Sequence, residues 1–150
     1  AADAVIHRSE TVDDESFLIA LAEALVLSGM AMSVAGTSRP CSGACHEVVH
    51  SVDQMFPGTS NHGELAGIGA LLATLLRRDD ATFDQMAACL DRHELGRNPL
   101  DIGLTLEQFT AAVLAAPATR PDRFTILEHL DLDERAARAA VDQLVERTRR

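Results

Sequence analysis

Apolar residues along this chain recur at spacings of three and four, and strict apolar–polar alternation is almost absent, so the pattern predicts helices. The acids Asp13, Asp14 and Glu15, followed by Ser16, open a long apolar run from Phe17 to Ala35. The polar connector Gly36-Thr-Ser-Arg-Pro40 separates it from a second helix over about Ser42–Gln54, which Pro57-Gly58 ends. The turn Phe56–Ser60 can fold a third helix, from near Asn61 through Leu76, back beside the second. Gly63, Gly67 and Gly69 lie along that third helix. Each weakens a helix by about 1 kcal/mol relative to Ala, so close approach to the preceding helix or to a ligand is expected there. Asp79–Glu94 gives a fourth helix with Phe83, Met86, Ala87 and Leu90 inward, and Thr105 caps a fifth ending at Ala115. After the break Pro117–Pro121, segments Phe124–Leu130 and Asp133–Arg147 close the chain, the second with acids first and arginines last, as the macrodipole favours. The expectation is an all-α, bundle-like domain of six to eight helices.

The Phe17–Ala35 run has the length of a membrane span but carries Glu23 near its middle. A carboxylate there costs roughly 2.5–3.5 kcal/mol on insertion. Ser28, Gly29, Ala31, Ser33 and Ala35 favour close helix packing, so a central buried helix is expected, and no membrane partner. Its face would become exposed if a neighbouring domain were missing, which leaves a homo-oligomer open.

Composition narrows the chemistry. With 150 residues and 47% hydrophobic content the chain can bury a core as one domain. Its formal charge of −10 argues against nucleic-acid partners, which need a basic footprint. All 13 basic residues are Arg, so lysine Schiff-base or general-base chemistry is excluded. Trp and Tyr are absent, which removes the usual stacking platforms. Cys41, Cys45 and Cys89, an odd set at low density, fit reduced thiols in a cytoplasmic setting. The start Ala1-Ala-Asp-Ala-Val-Ile-His-Arg lacks the layout of a signal peptide, and the missing initiator Met allows that upstream residues were removed.

Metal-capable side chains converge in one stretch, Cys45-His-Glu-Val-Val-His50 followed by Asn61-His-Gly-Glu64. His46 and His50 are four apart and share a helix face. With His62 on the next helix, two neutral imidazoles can meet across a hairpin, but two nitrogens are too few for a tight catalytic centre. Taken literally, His46-Glu47-Val48-Val49-His50 is also the HExxH pattern of zinc peptidases, with Glu47 activating water. Against that reading, the extended-motif position falls on Phe56, and no strand edge is offered to a peptide. Cys41 and Cys45 share a helical face, but Cys45 and His46 diverge by about 100°, so the cysteines are expected to act as small apolar fillers, as is Cys89. His7, His93 and His129 are expected at the surface.

The segments SGMAMSVAGTSRPCSG (28–43), CHEVVH (45–50), NHGELAGIGALLATLL (61–76) and RPDRFTILE (120–128) together resemble the C-terminal domain of sn-glycerol-1-phosphate dehydrogenases. That group also includes iron-containing alcohol dehydrogenases, glycerol dehydrogenases and dehydroquinate synthases. The resemblance runs from about Phe17 to Glu128. It implies that residues 1–150 are a single helical metal-binding domain, the C-terminal half of a dehydroquinate synthase-like fold, with the family's N-terminal nucleotide-binding domain absent. It further implies His46 and His62 as ligands of a divalent metal, zinc ahead of iron, with a carboxylate from the other half completing the site. The metal would polarise a substrate hydroxyl, and His50 would orient substrate or relay protons. Arg39 is the expected anion contact, for a small polyol or polyol phosphate. The family usually has Ala at position 41 and Glu at position 45, so the cysteines here are departures that could retune the site. No glycine-rich turn follows a strand, so NAD(P) binding requires the missing domain or a partner chain, and the isolated chain is expected to be inactive. The competing expectation is a non-catalytic helical interaction module that keeps the fold.

Overall fold

The core is a helical hairpin with most of the later helices laid against it. A computed structural model describes residues 1–59 and 61–149; Ser60, in the expected turn, lies outside the described residues. Among these there are eight α-helices, three short 3₁₀ turns and no strand. The helices are α1 (Asp3–Ile6), α2 (Glu15–Ala35), α3 (Ala44–Met55), α4 (His62–Leu76), α5 (Asp80–Arg92), α6 (Leu106–Ala115), α7 (Ile126–Leu130) and α8 (Glu134–Thr148). The sequence does not announce α1, a single turn with no buried residue.

Helix starts follow the side chains that can satisfy their orphan N–H groups. Asn61 accepts from the Glu64 amide at 2.8 Å, and Asp79 caps α5 through Thr82 at 3.1 Å. Capping boxes built by Thr105 with Gln108 and by Thr125 with Glu128 open α6 and α7. Gly36, in the left-handed region at φ 63°, ends α2.

The core gathers Val48, Val49 and Val52 of α3, Leu65, Ile68, Leu71 and Leu72 of α4, and Phe109 and Val113 of α6. From α8 come Ala137, Val141 and Leu144. The α3–α4 pair is the most intimate packing in the molecule. Gly69 makes it possible: a Cβ there would lie 2.9 Å from the Cys45 carbonyl oxygen and 3.0 Å from its Cα. Gly67 meets Leu90 of α5 at 3.2 Å in the same sense, whereas Gly63 has only the Asn61 side chain nearby at 3.7 Å. Phe83 is buried, and Met86, Ala87 and Leu90 of α5 pack on the core as expected.

The expectation of a central buried α2 is overturned. Only Phe17 and Ala24 of its 21 residues are buried, while Leu25, Val26, Leu27, Met30 and Val34 are all more than half exposed. α2 is apolar on nearly every face, as the buried α4 also is, but it touches the rest of the chain mainly through α1 and the 3₁₀ turn Arg39–Cys41, which leave most of it uncovered. By length and mean hydropathy, 2.0, it is the one helix among the described residues suited to cross a membrane.

Candidate metal centre

α3 and α4 bring the three histidines of the hairpin together. His46 stands in the first turn of α3, and His62 is the first residue of α4. Their ring centroids are 5.5 Å apart, tilted by 59°, and the His50 ring lies 6.1 Å from His62. Two imidazoles on one tetrahedral zinc, at ordinary Zn–N lengths, place their centroids roughly 5 Å apart, so the donor pair fits a shared ion. Among the described residues no group of three or more His, Cys, Asp and Glu is arranged to hold a metal.

The His46 and His62 rings have partners on one side. The Cys45 sulfur sits 3.2 Å from His46 Nδ1, and Asp53 Oδ2 lies 3.7 Å from His62 Nδ1. Both contacts engage Nδ1 and leave Nε2 as the nitrogen for a ligand. The His62 and Asp53 side chains are about half exposed, at 55% and 48%, so this edge opens to solvent. Burial lowers the proton affinity of His46 below that of an ordinary imidazole, with His62 and Arg120 adding to the effect. His50 is lowered for the same first reason, then by Arg120. Neutral rings suit a cation.

His50 is held by a different device. The Arg120 Nη2–H donates to its Nε2 at 2.5 Å, and a guanidinium carries donors only. His50 is therefore a neutral imidazole with its proton on Nδ1, its Nε2 unavailable to a metal while that contact holds. Arg120 also donates to Ser42 Oγ at 2.9 Å. Arg123 donates to the Ser42 carbonyl at 3.0 Å and to Ser38 Oγ at 2.9 Å. Arg39 donates to the Asp122 carbonyl at 2.6 Å and contacts its carboxylate at 3.2 Å. Three arginines thus clasp the connector in front of α3. Arg120, Arg123 and Asp53 were not singled out from the sequence. The signal available for the first two was the segment 120–128, where two arginines flank Pro121-Asp122.

Other expectations need correction. Glu47 is fully buried and accepts a hydrogen bond from the Thr125 hydroxyl at 2.9 Å, so it faces the core rather than the histidines. Burial pushes its carboxyl up, and the water-activating role that HExxH would give it is not open to it. Cys41 lies in the 3₁₀ turn Arg39–Cys41, exposed and off the α3 face, so it is not an apolar filler; Cys45 is half-buried, and Cys89 is buried as a filler should be. His93 is not at the surface: both ring nitrogens are buried without a hydrogen-bond partner, and the ring lies 4.7 Å from that of Phe17.

No family model matches the chain. It is 42% identical over 122 residues to a glycerol-1-phosphate dehydrogenase of Methanoculleus marisnigri, covering 81% of this chain and 33% of that protein. A protein of the same name from Nitrosopumilus maritimus is 36% identical over 119 residues, covering 79% and 33%. A third, from Methanocorpusculum labreanum, is 31% identical over 147 residues, covering 97% and 40%. These relatives' names also carry NAD(P)+. The chain spans about a third of the length of the curated relatives it matches.

Proposed function

Because the chain belongs to the glycerol-1-phosphate dehydrogenase-like superfamily, we propose that it supplies the metal-binding, substrate-facing helical part of an NAD(P)-dependent polyol-phosphate dehydrogenase. The observation that carries this reading is the convergence of His46 and His62 across the α3–α4 hairpin. Those two residues would hold a divalent metal, zinc ahead of iron, through Nε2, with an acid from the nucleotide-binding part completing the set. When bound, such a metal supplies Lewis-acid polarisation of a substrate hydroxyl.

The chain's own residues do the rest. His50, neutral and carrying its proton on Nδ1, is placed one turn along α3 from His46 to orient the substrate or pass a proton. Arg39 meets an anionic group by exchanging its Asp122 contact for it. The nucleotide-binding domain, or a partner chain that provides one, is required for NAD(P), and the isolated chain is inactive on this reading. The three free thiols accord with a cytoplasmic setting. The exposed face of α2 supports either docking of that missing partner or self-association. It equally favours the second reading, a non-catalytic interaction module.

Calorimetry separates the two. Zinc titrated into the chain should bind weakly, and His62→Ala should weaken binding by about tenfold or more, the scale of losing one of few ligands. No heat in either protein would favour the interaction module, and equal heats in both would mean that zinc binds without His62, as the peptidase pattern would have it.

A further inference from the structure

We infer that the guanidinium of Arg120 anchors a phosphomonoester beside the histidine cluster, with Arg123 positioning it and Arg39 completing the cationic rim. The identity of that ester as substrate rests on the function proposed above; the anion site itself rests on the arginines.

Charge complementarity carries the argument. Arg8, Arg39, Arg97, Arg123, Arg138 and Arg147 each have a carboxylate within ion-pair distance. Among the described residues Arg120 has none, although the chain as a whole carries a formal −10. Around the connector, the Asp122 carboxylate lies 3.2 Å from Arg39 and 3.9 Å from Arg123, with Arg120 outside ion-pair distance of it. The buried Glu47 carboxyl also acts on Arg120 and Arg123, but no carboxylate among the described residues comes within ion-pair distance of Arg120. A phosphomonoester carries about −1.5 to −2 charges at neutral pH and several acceptor oxygens, which suits a guanidinium that has no ion-pair partner.

Geometry selects Arg120 as the anchor. Its described hydrogen bonds, to Ser42 and His50, use two of five N–H groups, leaving the others for a planar, forked contact with phosphate oxygens. Arg123, only 10% exposed, is occupied with the Ser42 carbonyl and Ser38 hydroxyl and fixes the connector. Because Arg120 touches His50 directly, an anion held there puts a short polyol chain within reach of the imidazoles.

The test uses the full chain in metal-free buffer, with sn-glycerol 1-phosphate, inorganic phosphate, glycerol and ADP-ribose as probes. Both phosphates should shift the Arg120 Nε–H signal in nitrogen-edited NMR, and glycerol should not. Arg120→Gln should weaken phosphate binding at least about tenfold, Arg120→Lys should retain part of it, and exposed Arg77→Gln should leave it unchanged. Unchanged affinity in Arg120→Gln, or equal shifts with glycerol, would overturn the inference. Preference for ADP-ribose would overturn the substrate assignment. Should Arg120→Gln fail to fold, the wild-type Arg120 signal and the Lys variant decide. His62→Ala should keep phosphate binding, so phosphate binding without zinc binding sinks the metal reading alone, and the converse sinks this one alone.

Discussion

Cys45 shows how much one side chain can set at this site. Its sulfur lies against His46 Nδ1, where the resembled family places a glutamate, and burial pushes the thiol up so that it stays protonated. A protonated thiol is a poorer partner than a carboxylate for raising ring basicity. Cys45→Glu is therefore expected to tighten zinc about tenfold in calorimetry; unchanged or weaker binding would mean the thiol is not acting on the ring. Glu47 gives the second prediction. Burial raises its carboxyl above its unfolded value against the lowering effect of the Thr125 hydrogen bond, so its stabilising contribution is present below the unfolded value and is lost as pH rises through the folded one. Glu47→Gln should therefore raise the melting temperature near neutral pH, with the gain vanishing in acid. A pH-independent difference in melting scans would contradict this. Residue identity announced the histidines, because few side chains bind metals. It did not announce the Arg120–His50 pair, whose members lie 70 positions apart and meet only through the fold.

At the level of elements, the helices were legible wherever caps and a one-sided apolar stripe coincided. Asn61, Asp79, Thr105, Thr125 and Asp133 each accept from the first turn of their helix. α2 was misread because an apolar helix without a preferred face looks the same whether it is buried or bare. Among the glycines of α4, sequence could not say which one matters; the structure picks Gly69, pressed against the α3 backbone. Gly69→Ala should destabilise the chain by about 1–3 kcal/mol through overpacking and should weaken zinc by parting His46 from His62. Gly63→Ala, with nothing close but the Asn61 side chain, should be neutral or stabilising by about 0.4–1 kcal/mol. Denaturant unfolding of the two variants checks the contrast, and equal effects would mean the α3–α4 approach is not set by Gly69.

The molecule as a whole is a well-packed hairpin bearing one largely exposed apolar helix, in a chain that matches about a third of its relatives' length. Leu25, Val26 and Met30 are 64%, 62% and 58% exposed, so replacing all three with Glu should leave the melting temperature nearly unchanged while lowering self-association in sedimentation. A collapse of stability would restore the buried placement that composition suggested. The central claim is that one cation bridges the two hairpin helices, and the most direct check follows the histidine ring nitrogens by NMR during a zinc titration. The account predicts that His46 and His62 move together up to one equivalent, while His7, His93 and His129 stay still and His50 Nε2 keeps its arginine partner. Separate responses of His46 and His62, or zinc captured by the His46–His50 pair with His62 unmoved, would contradict it.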